Sequence, residues 1–232
     1  MHNEQMDHAT PKPAPAEPKS APVADALGRP LHDLRISVLD QCNFRCPYCM
    51  PVAKYHSDYE FLKKQQRLTY DEIMRVARAA SELGVSKIRL TGGEPLLDKK
   101  LPELISRIAS LPGIDDLALT TNGMLLAPIA ETLASAGLNR VTISLDSLDE
   151  QVFRAMSGGR GDRDRVLEGI AAAGDAGLGP VKINVVVQKG VNDHTVVDLL
   201  DHFRGSDTIV RLIEFMDVGN RNGWRMQQVV PS

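Results

Sequence analysis

From residue 33 onward the chain alternates short β-branched runs with longer stretches whose apolar residues recur every three or four positions. Residues 34–39, 87–91, 116–121, 140–146, 181–188 and 209–215 have strand character. Between them, residues 69–83, 101–111, 127–136, 164–176 and 195–204 read as helices. The first of these opens with Thr69 followed three residues later by Glu72, the capping-box pattern. Its apolar positions Ile73, Val76, Ala77, Ala80 and Leu83 share one helical face, and Gly84 stops it. Gly137, Gly177 and Gly205 stand where three further helices should end.

Strict alternation of six strands and five helices predicts an α/β fold with a parallel sheet and right-handed crossovers. An open doubly wound sheet and a complete or partial barrel both fit. Strand parity separates them. A parallel sheet covered on both faces reads as nearly continuous apolar runs, but here most strands have one polar face. Arg35 and Ser37 share a face, as do Lys87, Arg89 and Thr91; Thr120 and Asn122; Thr142, Ser144 and Asp146; and Lys182 and Asn184. In a barrel such positions point inward together. A closed, packed interior would select Val, Ile and Leu, so the expectation is a partial parallel (β/α)6 barrel with a wet interior. Residues 1–30 contain six prolines and six alanines and almost nothing large and apolar. Such a segment buries too little surface to offset its ordering entropy. It is expected to be a disordered tail ahead of a core domain spanning 31–232.

Composition narrows the function. A formal net charge of −3 and 4% aromatic residues disfavour a nucleic-acid partner that relies on a basic or stacking surface. The chain has no apolar run long enough to span a membrane and no secretory leader at its start. The three cysteines, Cys42, Cys46 and Cys49, fall in one eight-residue window after the first strand. An odd, clustered set without an export signal reads as metal or redox chemistry in the cytoplasm. Three thiolates are one short of a closed zinc site, which His56 or another of the six histidines could complete. They are also one short of a four-cysteine iron–sulfur site, leaving one iron open for a ligand.

The Cys42-x3-Cys46-x2-Cys49 spacing, with Tyr48 before the last cysteine, resembles the signature of the radical S-adenosylmethionine (SAM) superfamily. Thr91-Gly92-Gly93-Glu94-Pro95, after the second strand, resembles the element that holds the SAM amino group. Its two glycines suit close approach of backbone to a ligand. The resemblance implies a [4Fe–4S] cluster on the three cysteines, with SAM chelating its fourth iron. One electron then cleaves SAM to methionine and a 5′-deoxyadenosyl radical that takes hydrogen from the substrate.

Thr120-Thr121-Asn122-Gly123, Ser144-Leu145-Asp146-Ser147, Glu214-Phe215-Met216, Arg35 and Arg89 are similar to stretches of the GTP 3′,8-cyclase family of molybdenum-cofactor biosynthesis. That resemblance covers residues 31–232. It implies SAM contacts from Tyr48, Gly93, Glu94, Ser144 and Met216, and GTP contacts from Arg35, Arg89, Thr120 and Lys182. The implied partners are GTP, an electron donor and a second copy in a homodimer. Family members continue into a region with three more cysteines and a second cluster. No cysteine follows Cys49 here, so the expectation is a form lacking that region and impaired in activity. A single-cluster radical SAM enzyme, such as a glycyl-radical-enzyme activase, is the alternative enzyme. A disabled cluster-binding remnant is the non-enzymatic alternative.

Overall fold

A computed structural model describes residues 23–219 and 222–231. The strands are β1 Asp33–Ser37, β2 Lys87–Thr91, β3 Asp116–Thr121, β4 Arg140–Ser144, β5 Lys182–Val187 and β6 Ile209–Glu214. They form one sheet in the order β1-β2-β3-β4-β5-β6, with every neighbouring pair parallel. Strands β1 and β6 stand at opposite edges, so the barrel is partial, as the polar inner face suggested. The helices are α1 Tyr70–Glu82, α2 Leu101–Ala109, α3 Ala130–Ser135, α4 Glu150–Met156, α5 Arg163–Asp175 and α6 Val196–His202.

Strand parity creates two environments. Ile88, Leu90, Leu117, Leu119, Val141, Ile143, Ile183 and Val185 are buried on the helix-facing side. They pack with Ile73, Ala77, Leu104, Ile105, Ile108, Leu133 and Val166 into one core. The opposite parity faces the lumen and carries the polar residues. Arg89 shows this directly: its Nη1 donates to Thr120 Oγ1 on β3 and to Thr142 Oγ1 on β4, each at 3.3 Å.

Several boundaries differ from expectation for local physical reasons. The expected disordered stretch 1–30 lies outside the described residues as far as position 22. Residues 23–30 of that stretch make defined contacts. Asp25 Oδ1 accepts from Leu27 N and Arg29 N, its carboxylate pairs with Arg29, and Ala24 bridges Pro30. Val23 N also donates to Leu83 O at the end of α1 at 3.4 Å.

Strand β4 stops at Ser144 rather than at 146, because Asp146 Oδ1 takes the Val186 N–H at 2.8 Å in place of a backbone carbonyl. The seven-residue helix α4 was not expected; Asp149 caps it by accepting from Val152 N at 2.9 Å. It buries only Phe153 and Met156, too few for a periodic signal. The helices expected at 127–136 and 195–204 each begin with a 3-10 turn, at Ala127–Ile129 and Asp193–Thr195.

Ile143 is fully buried between sheet and helices. Ile143→Ala should therefore destabilise the protein by roughly 2–5 kcal/mol through lost transfer energy and a residual cavity. Urea unfolding of the metal-free protein measures this, and a loss under about 1 kcal/mol would contradict the packing described.

Candidate active site

All six strands end on the same side, and the loops there carry the chemistry. The β1 loop brings Cys42, Cys46 and Cys49 around a cavity of about 180 Å³. Tyr48, Thr91, Gly92, Gly93, Glu94, Thr120, Thr121, Asn122, Ser144 and Asp146 line the same space. Cys42 and Cys46 are half-buried and Cys49 is exposed. Cys49 N and Met50 N both donate to Cys46 O, at 3.0 and 2.8 Å, which curls the loop after Cys46. Phe44 N donates to Cys42 Sγ at 3.4 Å. Burial pushes the Cys42 thiol up to about 11 and, with the Asp146 charge, pushes Cys46 up as well. Both therefore stay protonated until a metal replaces the proton.

The donor set suits an iron–sulfur cube. Its three thiols border one cavity, yet among the described residues no three His, Cys, Asp or Glu side chains converge as ligands of a single ion. A cube takes each thiolate at a different corner, and three thiols bordering one cavity match that requirement. His56 is exposed, and no histidine among the described residues lines the cavity to complete a zinc site. The His56 Nδ1 accepts from Asp58 N at 3.3 Å.

The Gly-Gly-Glu-Pro turn borders the cavity and also packs against the protein's own backbone. Gly93 N donates to Leu39 O at 2.7 Å and Glu94 N to Gln41 O at 2.8 Å, joining the turn to the cysteine loop. A Cβ on Gly93 would stand 2.1 Å from Gln41 O, so only glycine fits. The glycines serve contact with the protein's own backbone, while Gly93 also borders the cavity.

Glu94 is 1% exposed, and burial raises its pKa. Its Oε1 accepts from Thr121 Oγ1 at 2.7 Å and Leu96 N at 3.0 Å, and its Oε2 from Asn122 N at 2.7 Å. Of about four lone-pair sites on a carboxylate, one on Oε2 is left for a ligand. Asn122 Nδ2 reaches Asn43 Oδ1 at 2.7 Å, linking the end of β3 to the cysteine loop.

Tyr48, just before Cys49, donates its hydroxyl to Asp146 Oδ2 at 2.7 Å. Asp146 is buried, which raises its pKa to about 6, and burial raises that of Tyr48. Ser144 borders the cavity from β4. Met216 is 53% exposed and does not line it. Asn222 Nδ2 donates to Met216 O at 3.0 Å and Tyr48 O at 3.2 Å, so the Met216 segment is nevertheless tied to the cysteine loop.

Below the cavity, the lumen is basic. Arg89 and Lys182 have lowered pKa values, each from burial first and then from surrounding cations. For Arg89 those cations are Arg140, Arg35 and Arg211. Among the described residues no carboxylate lies within ion-pair distance of Arg35, Arg89 or Lys182. Sequence reading did not single out Arg140 or Arg211. Arg140 pairs with Asp116, and Arg211 donates to Asn184 Oδ1 at 2.7 Å. Arg140 Nη1 and Arg211 Nε are nonetheless buried without a partner. Parity was the available signal, since Arg140 alternates with Thr142 and Arg211 sits opposite Asn184 in the register.

Residues 36–203 match the radical SAM superfamily profile, and the chain belongs to that superfamily. It is 56% identical over 213 residues to a GTP 3′,8-cyclase from Xanthomonas campestris pv. campestris (strain B100), covering 92% of this chain and 62% of that protein. It is 52% identical over 211 residues to a GTP 3′,8-cyclase from Acidothermus cellulolyticus, covering 91% and 58% respectively. The chain thus spans about three-fifths of the length of these curated relatives. The crystal structure of Streptococcus suis SuiB bound to S-adenosylmethionine superposes with a TM-score of 0.65 at 21% identity, covering 82% of this chain and 42% of that one. This last likeness is one of fold.

Two expectations test the site. Cys46→Ala should abolish retention of iron and acid-labile sulfide after anaerobic reconstitution, because two thiols cannot hold a cube firmly; a variant with full iron content would remove Cys46 from the ligand set. Glu94→Gln should destabilise the metal-free protein by roughly 1–3 kcal/mol, because an amide N–H would face donors that now have an acceptor. Thermal unfolding reads this directly, and an unchanged midpoint would mean that the carboxylate does not tie the loops together.

Proposed function

We propose that this chain carries the catalytic core of a GTP 3′,8-cyclase, forming (8S)-3′,8-cyclo-7,8-dihydroguanosine 5′-triphosphate at the start of molybdenum-cofactor synthesis. The observation that carries this reading is the set of lumen cations without carboxylate partners beneath the thiol-lined cavity. Arg89, Lys182 and Arg211 are half-buried and repel one another unless an anion joins them, and Arg35, exposed on edge strand β1, adds its charge to theirs. A triphosphate supplies several negative charges at that point. Guanidinium groups match phosphate oxygens bidentately, and an ammonium acts as a point charge. The relatives' shared name and the high identity agree with this substrate. A glycyl-radical-enzyme activase would act on a polypeptide and gives this basic floor no role.

In this reading Cys42, Cys46 and Cys49 hold the cube, which when bound supplies the electron for SAM cleavage. Tyr48, Gly93, Glu94 and Ser144 shape the SAM cavity, and Met216 approaches from the rim. Glu94 offers its remaining lone pair to the ammonium group. Arg35, Arg89 and Lys182 take the triphosphate, with Thr120 and Thr142 holding the Arg89 guanidinium in place. Arg140 and Arg211 add donors whose buried N–H groups lack acceptors. Phosphate binding would raise the lowered pKa values of Arg89 and Lys182, because each gains an anion among cations.

Binding and turnover test separate parts of the proposal. Arg89→Ala and Lys182→Ala should each weaken GTP binding by roughly 1.5–3 kcal/mol, as measured by calorimetry. With cluster, SAM and a one-electron reductant, GTP should stimulate 5′-deoxyadenosine formation and yield a product of the same mass as GTP. GTP affinity in both variants unchanged from that of the unaltered protein would dispose of the triphosphate reading.

A further inference from the structure

One buried charge in the cysteine loop has no role in the scheme above. Arg45, between Phe44 and Cys46, is only 7% exposed. Its Nε donates to Tyr55 O at 2.9 Å, and its Nη1 donates to Cys42 O and Phe44 O, each at 2.7 Å. The Phe61 ring centre lies 5.4 Å from the guanidinium carbon. Arg45 N donates to Ser157 O at 3.1 Å. Gly158 then backs onto the Arg45 carbonyl so closely that a Cβ there would stand 2.1 Å from the oxygen. The side chain is thus fixed from several segments at once.

These partners engage the N–H groups on Nε and Nη1 but leave the charge without a counter-ion. Among the described residues no carboxylate lies within ion-pair distance of Arg45, and the charged neighbour Arg160 is another cation. A buried guanidinium whose side-chain partners are carbonyls, a ring and the Met50 thioether is costly unless a counter-anion is near. The loop it braces carries all three thiols, one of them on the adjacent residue.

We propose that Arg45 is the built-in counter-cation of the iron–sulfur cube, a positioning residue whose charge favours the reduced cluster. The inference rests on the reading of Cys42, Cys46 and Cys49 as cluster ligands. A two-plus cube on three thiolates carries one net negative charge, and gaining one electron from an external one-electron reductant makes that two. A fixed cation stabilises the second state more than the first. Arg45 also reduces the repulsion among thiolates that assembly brings together, and its donors to Cys42 O and Phe44 O keep that charge beside them.

The test is a redox titration of the reconstituted protein with a one-electron reductant and mediators, without SAM, followed by the EPR signal of the reduced cube. Two variants separate charge from shape: Arg45→Gln removes the charge and keeps N–H donors, while Arg45→Lys keeps the charge and loses the fork. Arg45→Gln should show about tenfold less reduced cluster at a fixed potential, a midpoint lower by about 59 mV for one electron. Arg45→Lys should stay within about threefold of the unaltered protein. Failure of Arg45→Gln alone to take up iron and sulfide would support the same role. The proposal is overturned if both variants titrate like the unaltered protein, shift equally, or fail to assemble equally, since charge would then not be the cause. Absence of a cube in the unaltered protein would overturn both the cluster reading and this inference, whereas a normal cube with an indifferent Arg45→Gln would overturn this inference alone.

Discussion

The Glu94 carboxylate is the constraint on which the site depends. Through Thr121, Asn122 and Leu96 it fastens the end of β3 to the turn after β2. Through backbone bonds at Gly93 and Glu94, the same turn is fastened to the loop after β1. Loops from three neighbouring parallel strands become one rigid wall, and the cysteines sit on it. The bonds are buried and therefore strong, but they also make each member indispensable, because a lost acceptor leaves several donors dry. The close approach at Gly93 leaves no room for a side chain, so the wall depends on a hydrogen atom at that position as much as on the carboxylate.

Charge is arranged in two tiers around this wall. The mouth carries thiols whose pKa values are raised by burial, with a cation, Arg45, behind them. The lumen floor carries guanidinium and ammonium groups that outnumber their carboxylate partners. Each tier is unfavourable alone and becomes favourable when its ligand arrives, the cube above and the phosphates below in the reading proposed here. The apolar face of the same strands bears the stability of the fold, which frees the inner face to hold groups that a packed barrel interior would reject.

The elements of the fold were legible because they repeat locally. Short β-branched runs between helical stretches located all six strands, and capping at Thr69 marked the start of α1 where Thr69 and Glu72 bond reciprocally. The site was partly legible. The cysteine triplet is contiguous, and Arg89, Thr120 and Lys182 follow from strand parity. Arg211 obeyed the same parity but lay on the last strand, where Ile209 and Ile213 share its parity and blur the alternation. The short helix α4 left no periodic trace.

The sequence by itself determined which residues alternate, where helices start and stop, and that three thiols share one loop. These are properties of neighbours along the chain, set by the strand period, the helix period and local hydrogen bonding. Tertiary structure decided what the glycines of the Gly-Gly-Glu-Pro turn touch, that Glu94 spends most of its lone pairs on its own protein, and that Arg45, Arg140 and Arg211 bury charge or unpaired donors. Those outcomes depend on sheet register and on how closely loops from different strands approach. Register joins Asn184 to Arg211 and Thr142 to Lys182 across dozens of residues, and burial then sets the cost of every polar atom left without a partner.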